Sequence, residues 1–172
     1  QGVLDNFSRY VLAWRVTDRY GGASTKELLL ESLEKVQSVG LNVIPNVMVD
    51  GGTENYNSEV DSLVDQGFIT RTLAQIEIDF SNSLIEALFL RLKHWHLFLQ
   101  QLPTIEKLTE HTDFYLNECN NKIPMAVLGG ATPYEMITGQ WNDDSKSKLK
   151  TQSKLARVER MEFNLSRTCP VC

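Results

Sequence analysis

An α/β layer fold is predicted for this chain by three features. β-rich apolar runs alternate with amphipathic helical spacing through the first 73 residues, capping and stop signals bracket the helical stretches, and helices alone follow thereafter. The 172 residues are 42% hydrophobic and 23% charged, which suits one globular domain with a sizeable core and excludes disorder as the main state.

The elements follow in order. Gly2 to Leu4 reads as the end of an early strand, and Val11 to Thr17 (VLAWRVT) predicts a strand at about 9–17 before the turn chemistry of Asp18 to Gly22. Ser24 and Glu27 have capping-box spacing ahead of Leu29, Leu33, Val36 and Val39, with Gly40 as the stop. After Pro45, the run Val47-Met48-Val49 predicts a buried central strand ending on Asp50 and the Gly51-Gly52 turn. Ser58 and Asp61 repeat the capping pattern for a short helix closed by Gly67, and Phe68 to Leu73 reads as the next strand. Residues 83–101 predict a strongly apolar helix, 104–120 a second, and Thr132-Pro133 opens a third that runs to Gly139. Residues near 142–148 read as a linker, after which helical spacing returns at Leu155, Val158 and Met161. The expected division is a body over 1–141 and a basic linker and tail over 142–172 that ends in Cys-x-x-Cys.

Charge separates these two parts. Residues 1–142 hold 10 Lys and Arg against 18 Asp and Glu, and residues 143–172 hold 7 against 4. So acidic a body excludes simple wrapping of nucleic acid in a basic groove, because Lys and Arg dominate phosphate affinity. An acidic body can still act on DNA through divalent cations. The longest apolar stretches are broken within about a dozen residues by Lys93, His94, Gln100 or Gly129, short of the roughly 20 needed to span a bilayer. No membrane partner is expected. Three cysteines do not make a disulfide framework, which favours a reducing, cytoplasmic and nucleoid-associated setting. The chain opens on Gln1 without a leader, inside what reads as a strand, so a fragment is expected.

Two acids carry the chemical argument. Asp50 ends an apolar strand, where its carboxylate can project from the carboxyl edge of the sheet, the ligand edge of open α/β folds. Glu86 falls in the first turn of the long helix. Carboxylates on two rigid elements can converge on Mg²⁺, which prefers oxygen ligands. Each also has a plain structural reading: Asp50 as a turn residue, and Glu86 as the capping partner of Ser83. No P-loop, nucleophile elbow or dinucleotide fingerprint occurs. His94 and His96 lie two positions apart on a helix and cannot form a facial metal pair. Cys169 and Cys172 have zinc-knuckle spacing but supply only two of four ligands, with Cys119 or a histidine the only others in the chain.

Several longer pieces occur in a fixed order. Asp5-Asn6-Phe7-Ser8-Arg9 leads into a hairpin with Trp14, and Val49-Asp50-Gly51-Gly52-Thr53-Glu54-Asn55 follows a strand. Ile78-Asp79-Phe80-Ser81-Asn82-Ser83-Leu84-Ile85-Glu86 then runs through to Lys93, and Asn120 and Gly130-Ala131-Thr132-Pro133-Tyr134-Glu135 come last. Thirty-five residues separate Asp50 from Glu86. In these pieces the sequence resembles the ribonuclease H-like DDE recombinases, the bacterial insertion-sequence transposases and retroviral integrases, over residues 1 to about 140.

The resemblance implies a ribonuclease H-like mixed sheet flanked by helices, lacking its first strand, with a gap in mid-sheet. It implies Asp50 as the second catalytic acid, Glu86 as the third and Lys93 as a DNA-end contact. The first acid belongs to the absent strand and is not Asp5. The implied cofactors are two Mg²⁺ or Mn²⁺ ions, and the implied partners are the DNA of element ends and target, and further copies of the chain. Phe89 and Leu90 depart from the pattern, which has Asn and then a basic or polar residue there, and Cys119-Asn120 and Ile123-Pro124-Met125 replace Tyr-Asn and Arg-Pro-His. The function expected is metal-dependent cleavage and strand transfer in transposition or integration. A ribonuclease H-like nuclease, or an inert DNA-binding or assembly remnant of a degraded mobile element, are the alternatives. Lys146, Lys148, Lys150 and Lys154 are expected to supply phosphate contacts that the body lacks.

Overall fold

The computed structural model describes residues 1–19, 21–74 and 83–167. Strands β1 (Gly2–Leu4) and β2 (Val11–Trp14) form an antiparallel hairpin pairing Gly2 with Trp14 and Val3 with Ala13. The register then slips, so that Leu4 pairs with Val11. Asp5 closes the turn, its Oδ2 accepting from the Ser8 amide at 2.7 Å and the Ser8 hydroxyl at 2.5 Å. That carboxylate is engaged within the turn.

Helix α1 (Gly22–Ser38) follows, and packs on β2, β1 and the next helix. Its N-cap is Gly21, without a side-chain cap. Ser24 and Glu27, expected as a capping box, instead face Arg15, whose guanidinium lies 2.7 Å from Glu27 and 2.6 Å from Glu31. Strand β3 (Asn46–Val49), helix α2 (Ser58–Asp65) and strand β4 (Thr70–Leu73) make a β-α-β unit with β3 and β4 parallel. The cap of α2 is Asn57, which accepts from the amides of Glu59 and Val60.

Helix α3 (Ser83–Trp95) ends earlier than expected, giving way to a 3-10 turn at Leu97–Leu99. Helix α4 (Ile105–Asn121) is capped by Thr104, and α5 (Pro133–Ile137) begins with a complete Thr132–Glu135 capping box. The segment expected as a linker at 142–148 is helical from Asp143 on, part of the continuous helix α6 (Asp143–Arg167). Its start is set by Asn142, whose Oδ1 accepts from the Ser145 amide at 3.0 Å, and by Asp143 and Asp144 in the first turn, where acids favour the helix dipole. No α6 residue is buried.

The hairpin is covered on both faces. One core cluster joins Leu29 and Leu33 of α1 to Val60 and Leu63 of α2 and to Ile69, with Val3 and Val47 packed against it. A second joins Val11 to Leu88 of α3 and Leu116 of α4, with Leu4 and Trp14 alongside. Each fully buried aliphatic side chain contributes about 2 kcal/mol. The buried Asn120 ties α4 to β2, its Oδ1 accepting from the Val11 amide at 2.9 Å and its Nδ2 donating to the Val11 carbonyl at 3.0 Å. Val11 is the ladder partner of Leu4 beyond the irregularity, and its own N–H and C=O are both taken by the asparagine amide.

The four described strands do not form one sheet. They make two separate pairs, β1-β2 and β3-β4. Between the pairs lies a cavity of about 720 Å³, lined by β1, β3, α1 and the start of α3. This is the gap expected in mid-sheet. The burial expected of β3 is not reached, since Met48 is 45% exposed: among the described residues β3 has a partner strand on one side only.

Candidate functional site

The cavity sets the location of the site. Val49 is the last residue of β3, and Asp50 follows at the mouth of the cavity with Glu54 and Asn55. Asp50 Oδ1 accepts from Asn55 Nδ2 at 2.7 Å and from the Gly52 amide at 3.1 Å, while the residue remains exposed. This turn is fixed from β4. Arg71 donates from Nη1 to the Asn55 carbonyl at 2.8 Å, pairs through Nη2 with Asp61 at 2.7 Å and lies over the Tyr56 ring at 4.1 Å. Arg71 is a positioning residue that the sequence pattern does not single out. Its one signal is a lone arginine in a short strand that follows an acid-rich helix start.

The opposite wall carries the second acid. Ser83, Leu84 and Ile85 in the first turn of α3 line the same cavity as Asp50. Glu86 is the next residue, exposed to solvent and outside the cavity lining. The structure thus brings Asp50 and the turn that carries Glu86 to one cavity. Lys93 lies two helical turns on, exposed and on the same face as Glu86. Leu90 between them is 59% exposed, so this face of α3 carries an apolar residue amid its charges. Phe89 lies on the cavity side, where a Cβ on Gly2 would come within 3.3 Å of its ring.

The donor chemistry of Asp50 and Glu86 suits a hard divalent cation. Their number does not suffice for the expected pair of ions: among the described residues no group of three His, Cys, Asp or Glu side chains could hold a metal. His94 stacks edge-on against Phe98, while His96 lies among His111, Phe114 and Tyr115, so the two histidines have separate surroundings. Cys119 is buried, and burial raises its thiol pKa; Cys169 and Cys172 lie outside the described residues, as do Ile78 to Asn82. Lys146, Lys148, Lys150 and Lys154 are all exposed on α6, with Lys146 paired to Asp143 at 3.0 Å. Among the described residues no helix is long and apolar enough to cross a membrane.

No protein-family model and no curated protein matches the chain. Solved structures do. The chain is similar to a chain of the simian T-cell lymphotropic virus intasome, solved in complex with a PP2A regulatory subunit, at 16% identity and a TM-score of 0.60 over 79% of this chain and 46% of that one. It is also similar to the HTLV-2 integrase catalytic core domain, solved in complex with magnesium in a trimeric form, at 17% identity and a TM-score of 0.54 over 77% of this chain and 80% of that one. The chain thus spans about half the length of the intasome chain. It has the α/β, ribonuclease H-like fold of an integrase catalytic core, with the sheet divided as described.

Proposed function

We propose that this chain is the catalytic-core portion of a DNA integrase or transposase of the DDE class, acting on phosphodiester bonds at element ends and in target DNA. One observation carries the reading: in a fold shared with integrase cores, Asp50 at the exit of β3 and the α3 turn bearing Glu86 meet at one cavity. Asp50 and Glu86 would hold a divalent ion, Mg²⁺ or Mn²⁺, which when bound neutralises phosphate charge and lowers the pKa of water or a 3′-hydroxyl. The residues themselves do the rest. Asn55 and the Gly52 amide orient the Asp50 carboxylate, Arg71 holds their turn, and Lys93 on the Glu86 face offers a cation to a phosphate. Assembly with further copies of the chain belongs to this reading, supported by the trimeric form of the HTLV-2 core.

The test uses the full-length protein, an end-labelled duplex and Mg²⁺. Both hydrolysis and joining are expected, and Glu86→Gln should reduce the two together by about a thousandfold, the loss of roughly 4 kcal/mol of transition-state stabilisation. Cleavage that survives Glu86→Gln would remove this residue from the mechanism. A second reading, an inert DNA-binding or assembly module, is favoured by the lack of a three-acid group among the described residues. DNA binding without cleavage or joining by the unaltered protein would decide for it.

The exposed lysines of α6 are proposed to neutralise phosphates, in a tail distinct from the body over 1–141. Deleting residues 143–172 should weaken DNA binding and flatten its salt dependence by about 0.9 in log-log slope for every phosphate no longer neutralised. An unchanged slope would assign α6 another role.

A further inference from the structure

We propose that His96 and His111 form a second cation site, separate from the cavity, which takes the borderline transition metal ion Zn²⁺ through one imidazole nitrogen of each. The sequence keeps the two residues apart, with fourteen others between them. The fold joins them because α3 stops at Trp95, and His96, with φ of −133° and ψ of −65°, turns the chain into the 3-10 turn at Leu97–Leu99. Leu97 is buried, and the turn lies against α4. His111, Phe114 and Tyr115 are spaced i, i+3 and i+4 on α4, so they share one helix face. The His96 ring lies against all three, with centroids 5.4, 5.7 and 5.3 Å away.

Nε2 of His96 carries the argument. It is buried, and among the described residues it has no hydrogen-bond partner. Buried polar atoms are nearly always satisfied, so one set among aromatic rings marks a place that a ligand completes. Of the three rings around it, His111 alone bears nitrogen. On a tetrahedral ion with Zn–N bonds of about 2.0–2.1 Å, and ring nitrogens about 1.2 Å from their centroids, two imidazoles stand with centroids about 5.2–5.4 Å apart. His96 and His111 stand at 5.4 Å. Their planes are tilted by 51°, and each ring can turn about its own metal–nitrogen bond without changing that separation. Ligand type selects the metal: imidazole suits Zn²⁺, whereas Mg²⁺ takes oxygen ligands. Glu110, beside His111 in the chain, is bound to Lys107 at 2.6 Å, so two positions of the tetrahedron are left to water. An ion held there fastens the end of α3, the helix that bears Glu86, to α4. The inference holds whether or not the chain cleaves DNA.

The probe is Zn²⁺ alone, titrated in excess Mg²⁺ into the full chain carrying Cys169→Ser and Cys172→Ser, which removes the paired thiols as competing ligands. Imidazole ¹⁵N NMR is expected to show one ring nitrogen of His96 and one of His111 shifting together, with those of His94 unmoved. Zn²⁺ at about a hundredfold over its Kd should raise the melting temperature by roughly 5–10 °C. His96→Gln and His111→Gln should each weaken Zn²⁺ binding at least about tenfold by calorimetry, and His94→Gln should leave it unchanged. Shifts confined to other residues, an affinity that survives both His96→Gln and His111→Gln, or no binding at millimolar Zn²⁺ would overturn the proposal. The NMR readout on the unaltered histidines decides the matter even where a glutamine variant fails to fold.

Discussion

Replacing Asp50 by asparagine is expected to abolish DNA cleavage and joining by the full-length protein while leaving its fold unchanged. Oδ1 of Asp50 accepts from Asn55 and from the Gly52 amide, and an asparagine keeps that acceptor and the side-chain volume, so the turn after β3 persists. The formal negative charge is what disappears. A carboxylate that helps hold a divalent cation is worth several kcal/mol of charge stabilisation, so activity should fall by about a thousandfold or more. The melting temperature of Asp50→Asn should stay within about 2 °C of the parent, corresponding to less than roughly 1 kcal/mol. Measured together, the two readouts separate chemistry from folding. Full Mg²⁺-dependent activity in a folded Asp50→Asn protein would remove Asp50 from the site.

The largest stability loss is expected from Asn120→Ala. The side chain supplies both hydrogen bonds to the backbone of Val11, which is 4% exposed, and Asn120 itself is 8% exposed. Alanine leaves one buried N–H and one buried C=O without partners, at about 1–3 kcal/mol each, so a loss of about 3 kcal/mol is expected. For a chain of this size that lowers the melting temperature by roughly 6–12 °C. Asn120→Asp tests the mechanism further: it keeps the acceptor for the Val11 amide but turns a carboxylate oxygen on the Val11 carbonyl. It should therefore be at least as damaging as alanine. Thermal unfolding in which both variants match the parent would show that the Val11 bonds contribute nothing net.

What was legible in the sequence follows from the range of the forces involved. The order of the first elements was readable because each carries its own punctuation: Gly40 and Gly67 stop α1 and α2 in left-handed conformations, with φ of 82° and 73°. The place of Asp50 at the exit of β3 was legible because a strand-like run and a glycine pair frame it. The exposure of β3 was not, because Val47-Met48-Val49 reads as apolar whether or not a second neighbour pairs with it. The Lys- and Ser-rich start of α6 reads as a linker by composition, yet the cap at Asn142 and two acids in the first turn are enough to start the helix. The structural roles of Asn120 and Arg71 were not legible, because their partners, Val11 and Asn55, are distant in the chain. Nothing local marks a polar residue as the partner of a particular backbone.

The clasp between Asn120 and Val11 also has a consequence in time. Its two ends are 109 residues apart. At about 5–20 residues per second, a ribosome releases the opening hairpin some 5–20 s before the residue that fastens it. During that interval Val11 lacks Leu88 at first, and then Leu116, for packing. The newborn hairpin is thus incompletely packed until α4 is made, and the clasp can close only once the C-terminal end of that helix has been synthesised.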